Sequence, residues 1–257
     1  MAENLNEMFL ERCLNNNVAG VQSCLSQGAD VNTVSQSLVG CWSGLTWAAY
    51  NDHTELLDIL LSHPDIEVNK TTTRDGKQWI ALIFACRAGY SAIVSRLVQV
   101  EGLDINYQDE EGWTAAHEAS MRGHTECVRV LAETGRVDWN IRNKWGNTPL
   151  YWALYRGHSD IVDIITQQPN IDYNVKTEAG ETLAHAAVLG GDVKCVETLA
   201  AQETFNCWNV PDRRGDTPIM SALRRERTDI VKVLLTCPRV DLNVVSINRK
   251  NIEDIAR

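Results

Sequence analysis

The sequence predicts an all-α repeat solenoid. Two motifs recur at one step along the chain, and apolar stripes with helical spacing lie between them. The first motif ends in asparagine. Its copies are Ala29-Asp30-Val31-Asn32, Ile66-Glu67-Val68-Asn69, Leu103-Asp104-Ile105-Asn106, Val137-Asp138-Trp139-Asn140, Ile171-Asp172-Tyr173-Asn174, Phe205-Asn206-Cys207-Trp208-Asn209 and Val240-Asp241-Leu242-Asn243. The asparagines are separated by 37, 37, 34, 34, 35 and 34 residues. Self-similarity at such a period marks a stack of supersecondary units, none of which buries its own apolar face.

The second motif keeps the same step. It opens on Thr and reaches Gly nine residues later, as in Thr114 to Gly123-His124, Thr148-Pro149-Leu150-Tyr151 to Gly157-His158, and Thr182 to Gly191. The copy at Thr217-Pro218-Ile219-Met220 ends on Glu226, and degenerate copies run from Ser43 to Asp52-His53 and from Ile80 to Gly89-Tyr90. Thr caps a first helix by accepting a backbone N–H, and Pro suits the first helical turn, where no N–H is needed. Gly permits the tight turn between helices. A second helix follows, with apolar residues at helical spacing: Leu56, Leu57, Leu60 and Leu61; Ile93, Val94 and Leu97; Ile161, Val162 and Ile165; Ile230, Val231, Val233 and Leu234. The alternation at the closing motif suits an extended arm and then a turn.

With these residues the chain resembles the ankyrin family, whose signature is Thr-Pro-Leu-His-x-Ala, a Gly-His between helices, and a closing Asp-Val-Asn at a period of roughly 33. The resemblance covers about residues 5–243 and implies stacked helix-turn-helix ankyrin repeats with β-hairpin or loop fingers. The expected division is one domain, 1–257: an N-terminal capping repeat 1–32, repeats 33–69, 70–106, 107–140, 141–174, 175–209 and 210–243, and a C-terminal partial repeat or cap at 244–257. In the first repeat Leu5, Met8, Phe9 and Cys13 form an apolar stripe, with polar residues elsewhere, as a solvent-facing cap needs. The arms at 33–42 and 70–79 each carry three extra residues and are expected to protrude. Ile252-Glu253-Asp254-Ile255-Ala256 resembles the opening helix of one more unit.

Composition narrows the function. Net charge is −10, opposed to a phosphate-binding surface, so no nucleic-acid partner is expected. No apolar run approaches the roughly 18–20 residues of a membrane helix, so no membrane insertion is expected. The N-terminus has neither a basic nor an apolar signal region. The eight cysteines form no CxxC pair and no zinc-ligand spacing. They read as reduced core residues of a cytoplasmic or nuclear protein rather than a secreted one.

Catalysis is not expected. His117 and His185 occupy the Thr-Pro-Leu-His position, and His53, His124 and His158 the Gly-His position, so the repeat accounts for them as structural hydrogen-bonders. Glu110-Glu111 reads as a solvated charge run at a turn tip. No nucleophile elbow, phosphate loop or metal cluster accompanies them, and no cofactor is expected.

The resemblance implies that a partner protein meets the concave side, formed by finger tips and the exposed edge of each first helix. Counting from each Thr places Trp42, Trp79 and Trp113 just before it, and Tyr50, Arg87, Met121, Arg122, Tyr155, Arg156, Arg224 and Arg225 seven or eight residues after it. Trp145 joins them from a finger tip, as do Asp109, Glu110, Asn143, Lys144, Arg213 and Arg214. Aromatic and Arg residues are the enriched hot-spot types of interfaces. The expected function is that of an adaptor, scaffold or inhibitor acting as a monomer. Its partner would be a segment with apolar or aromatic anchors and acidic residues. The bland alternative is that the Trp before Thr packs on the neighbouring finger and adds rigidity. Two further readings are a targeting arm of a larger enzyme or ubiquitin-ligase-type protein, and an engineered or reconstructed repeat scaffold. Unequal repeats and abundant cysteine oppose the last.

Overall fold

The computed structural model describes residues 2–35, 40–74 and 76–243. Among these are fourteen helices and one small sheet, an all-α repeat solenoid. The expected partial repeat at 244–257 lies outside the described residues. The chain forms two compact units: residues 1–119 with 129–137, and residues 120–128 with 138–257.

The first unit holds the helix pairs α1 (Ala2–Leu14) with α2 (Val18–Ser26), α3 (Gly44–Tyr50) with α4 (Thr54–Leu61), and α5 (Ala81–Ala88) with α6 (Ser91–Leu97). It also holds the start of α7 (Ala115–Arg122) and the end of α8 (Thr125–Glu133). The segment expected to be a capping repeat holds the helix pair α1 and α2. Phe9 and Cys13 of its stripe are buried, but Met8 is exposed, so the buried face is narrower than the sequence suggests. The longer arms build a sheet: β1 (Gly40–Cys41), β2 (Thr72–Arg74) and β3 (Lys77–Trp79), antiparallel in the order β1-β2-β3. The expectation that these arms protrude falls partly on residues 36–39 and 75, outside the described residues.

The second unit holds α9 (Pro149–Arg156) with α10 (Ser159–Thr166), α11 (Leu183–Gly190) with α12 (Val193–Ala201), and α13 (Pro218–Arg224) with α14 (Thr228–Thr236). Its core includes Ile161, Val162, Ile165, Cys195, Val196, Leu199, Ile230 and Leu234, all buried. First helices approach closely. A Cβ at Gly190 would stand 2.0 Å from the Leu154 carbonyl oxygen, so only glycine fits there.

The capping logic of the sequence is visible in detail. Thr148 Oγ1 accepts the Tyr151 N–H at 3.2 Å, and Ser43 Oγ accepts the Thr46 N–H at 3.1 Å. Thr182 and His185 form a reciprocal box, Nδ1 of the histidine accepting the Thr182 N–H at 3.2 Å. The turn between helices is left-handed: Gly89, Gly157 and Gly191 have φ of 86°, 70° and 79°. Asp52 and Glu226 hold the same conformation without being glycine, at φ 59° and 56°.

The closing motif holds the turn that the sequence suggests and forms no named strand. It is a turn bound at both ends. Asp30, Asp104, Asp138, Asp172 and Asp241 each accept, through Oδ1, the N–H of the asparagine two residues on, at 2.8 to 3.1 Å. The asparagine then grips the next repeat. Asn32 Nδ2 donates to the Asp65 carbonyl at 2.6 Å while its Oδ1 accepts the Glu67 N–H at 2.8 Å. Asn69, Asn140 and Asn209 repeat this double bond to Gly102 and Asp104, Asn170 and Asp172, and Arg239 and Asp241. The longer motif at Phe205–Asn209 departs from it: there Asn174 Oδ1 lies 3.4 Å from Cys207 Sγ.

Arginine adds a second tie that sequence reading missed. Arg239, four residues before its asparagine, caps the carboxyl end of α12. It donates to the carbonyls of Gln202 and Phe205 at 2.7 and 2.8 Å, and also to that of Ala200. Arg136 stands in the same register and donates to the Val98 carbonyl at 2.5 Å. Orphan carbonyls at a helix end favour such a cation.

Asn140→Ala removes two exposed bonds, to the Asn170 carbonyl and from the Asp172 N–H, and should cost about 0.5–1.5 kcal/mol, read as a lower urea midpoint. Glu226→Gly removes a side chain from a left-handed position. It should stabilise the fold by roughly 0.5–1 kcal/mol, read as a higher urea midpoint, because relief of strain exceeds the added entropy of the unfolded chain.

Candidate protein-interaction surface

In the first unit the expected surface tryptophans are core residues. Trp42, Trp79 and Trp113 are 6 %, 4 % and 7 % exposed. Trp42 stacks on Trp47 at 4.5 Å and packs on Phe84 at 4.9 Å, while Trp79 meets Phe84 edge-on at 5.1 Å. Phe84, a buried hub that sequence reading did not single out, also takes the edge of Tyr50 at 6.1 Å. The physical reason for burial is the finger. Trp79 Nε1 donates to Asp109 Oδ2 at 2.9 Å, and Asp109 Oδ1 accepts the N–H groups of Glu111 and Trp113 at 2.9 and 2.8 Å. One carboxylate thus closes its own turn and holds the tryptophan of the preceding finger.

Arg87 is also engaged within this unit. Its guanidinium lies 4.9 Å over the Trp79 ring and pairs with the buried Glu118 at 3.1 and 3.2 Å. Glu110 and Glu111 are not a free charge run. The Glu110 carboxylate accepts the Gln78 N–H at 3.0 and 3.1 Å, and Glu111 pairs with Lys77 at 2.7 Å, so together they staple β3 to the next finger.

In the second unit the same turn device recurs. Asn143 accepts the N–H groups of Trp145 and Asn147, Thr177 those of Ala179 and Glu181, and Asp212 those of Arg214 and Asp216. Gly146, Gly180 and Gly215 supply the left-handed residue of each turn, at φ 79°, 78° and 81°. This device places Trp145 on a finger tip, the residue 41 % exposed and Lys144 Nζ 4.4 Å above its ring. Tyr155 is 39 % exposed and stacks on Tyr151 at 6.0 Å with an interplanar angle of 12°. Tyr151 in turn donates its hydroxyl to Glu181 at 2.5 Å, and burial followed by that bond holds its pKa well above the usual phenol range. Met121 is half-buried, its backbone held by the His158 ring, and Arg122 and Arg156 are exposed at the ends of α7 and α9.

Arg224 and Arg225 are exposed at the end of α13. Arg224 chelates Asp216, Nε to Oδ2 at 3.0 Å and Nη2 to Oδ1 at 3.2 Å. They line a cleft of about 450 Å³ with Leu189, Ser221, Arg213 and Arg214.

The titratable core groups have structural reasons. Burial pushes the Cys13 and Cys195 thiols up to about 12, which leaves them protonated and unreactive. All eight cysteines are free, and six are buried. His53 Nδ1 is buried with no hydrogen-bond partner among the described residues, unlike the hydrogen-bonder expected from its motif. Among the described residues no group of His, Cys, Asp and Glu could hold a metal ion, and no helix is long and apolar enough to cross a membrane.

A family model for ankyrin repeats matches three times, over residues 10–109, 82–177 and 170–246. The chain belongs to the ankyrin-repeat family. Ankyrin repeats generally mediate protein–protein interaction and are typically non-catalytic. No curated protein matches the chain significantly.

Desolvation lowers the pKa of His185 below 6.5, although its Nε2 bonds the Asp216 carbonyl at 2.9 Å. In the window beneath 6.5 the unfolded chain binds the proton and the folded one does not, so stability rises with pH there and is lost as pH falls. The thermal midpoint should therefore drop on acidification through 6.5. The drop should be shallower in His185→Gln, as measured by calorimetry at a series of pH values.

Proposed function

We propose that this chain is a protein-binding module, an adaptor, scaffold or inhibitor, and that part of its partner surface lies in the second unit on Met121, Arg122, Trp145, Tyr155 and Arg156. The observation that carries this is the exposure of Trp145 and Tyr155, the two aromatic side chains among the exposed large hydrophobic residues described. Aromatic rings left in water beside arginine are the hot-spot composition of interfaces. The turn and stacking geometry holds both rings, so little side-chain entropy remains to be lost on binding. Trp42, Trp79 and Trp113 act in this reading as supports, and Tyr50 and Arg87 share in that packing. Arg224 and Arg225 extend the surface toward the cleft at α13. The partner expected is a segment with apolar or aromatic anchors and acidic residues.

The test is a parallel capture from a lysate of the source organism with the natural chain and a Trp145→Ala/Tyr155→Ala/Arg156→Ala variant. Proteins held by the first should be lost from the second, with each of the three substitutions costing about 1–4 kcal/mol where it is a hot spot. The variant should keep its circular dichroism and melting midpoint. An unchanged set of captured proteins overturns the assignment of this surface.

A further inference from the structure

The cleft lined by α11, α13 and the finger tips around 179 and 213 contains carboxylates as well as arginines, and the two differ in how they are engaged. Each acid is already satisfied from inside. Asp216 is chelated by Arg224. Asp212 Oδ1 takes the Arg214 and Asp216 N–H groups at 2.8 and 3.0 Å. Glu181 accepts the Tyr151 hydroxyl. His185, also in the lining, has both ring nitrogens occupied, Nδ1 with Thr182 and Nε2 with the Asp216 carbonyl, and adds no charge near neutral pH.

The cations other than Arg224 are less committed. Arg213 reaches Glu178 only at 4.0 Å, with both side chains largely in water, a pairing of little strength. The Arg214 and Arg225 side chains have no ion-pair or hydrogen-bond partner among the described residues. A concave site thus combines engaged carboxylates, open guanidiniums and an apolar contribution from Leu189 and Ala179. Its volume of about 450 Å³ is that of a ligand site, too small for a folded domain but suited to a few side chains of an extended segment.

We propose that this cleft binds a short acidic peptide segment of the partner, with carboxylates between Arg214 and Arg225 and an apolar side chain against Leu189. Guanidinium forks match carboxylates in shape and charge. The molecule as a whole, at net −10, disfavours an extended polyanion, whose charges would run beyond the cleft. A short segment meets chiefly the local field, within a Debye length of about 8–10 Å. The inference rests on the protein-binding reading and specifies the chemistry of the partner.

The test is fluorescence anisotropy with a labelled peptide of alternating Glu and Leu, set against an uncharged Gln and Leu peptide and an oligothymidylate. The natural chain, Arg214→Glu/Arg225→Glu, and Arg129→Glu as a charge control outside the cleft would be compared. The acidic peptide should bind the natural chain and the Arg129 variant alike, and the double reversal should weaken it about tenfold or more. If the double reversal loses its melting transition, Arg214→Gln/Arg225→Gln replaces it with the same expected direction. No preference for the acidic over the uncharged peptide, undiminished binding by the cleft variants, or equal binding of the oligothymidylate overturns the proposal. The two readings separate cleanly. Loss of captured proteins by the Trp145 variant without peptide binding rejects the cleft alone, and peptide binding without that loss rejects the Trp145 surface alone.

Discussion

A primary amide carries a donor and an acceptor at a fixed separation, and within each unit the repeats depend on that geometry. The asparagine that closes one repeat gives its N–H to a carbonyl of the next and takes an N–H two residues further on, as Asn32, Asn69, Asn140 and Asn209 do. Two bonds from one planar group fix both distance and rotation between neighbours. An apolar face alone fixes neither so tightly, because hydrophobic attraction has no direction. The aspartate two residues earlier holds the asparagine's own backbone, so the amide is aimed before it binds. Any residue that changes the backbone path here must change the tie, and the longer motif before Asn209 does so at Asn174.

Once neighbours are set, the fingers and helix ends follow from the same principle of satisfying buried backbone groups. Asp109, Asn143, Thr177 and Asp212 differ chemically but share a short side chain with an oxygen two or three bonds from Cα. Each therefore closes its turn in the same way. In the first unit this turn also receives the Trp79 indole, which draws the aromatic side chains into the core and leaves Arg87 lying over them. In the second unit the residues before the first helices are Asn147, Glu181 and Asp216, with no indole to bury. The aromatic surface there falls instead to Trp145 on a finger and Tyr155 on a helix. The proposed partner surface and the proposed acidic-peptide cleft both arise from this difference between repeats rather than from the features they share.

Much of the architecture was legible in the sequence because repetition amplifies weak local signals. A single Thr before an apolar run is a poor helix marker. Six ordered positions, followed each time by Gly or a left-handed substitute, are a strong one. Thr148, Ser43, Gly157 and the buried residues of α6 and α10 stand where the pattern puts them. Fine placement was less legible. The spacing that puts Trp42, Trp79 and Trp113 beside a helix cap does not say whether the indole turns toward solvent or toward a finger. That depends on an acceptor thirty residues away in the case of Trp79. The charge pair Glu110-Glu111 likewise looks solvated in one dimension and is a staple in three.

By itself the sequence determined the repeat, its period, the helix starts and turns, and membership of a family of binding proteins. These rest on local backbone preferences and on apolar periodicity, which act over a few residues. Tertiary structure decided which polar groups are consumed and which are left. Arg87 looks like a surface cation in the sequence, yet it covers a tryptophan, and Arg239, which the repeat motifs do not single out, caps a helix. Arg214 and Arg225 belong to the same residue type and retain open charge. The reason is physical: whether a charge is available is set by the geometry of every donor and acceptor that folding brings within about 3 Å of it, and that set is drawn from neighbouring repeats.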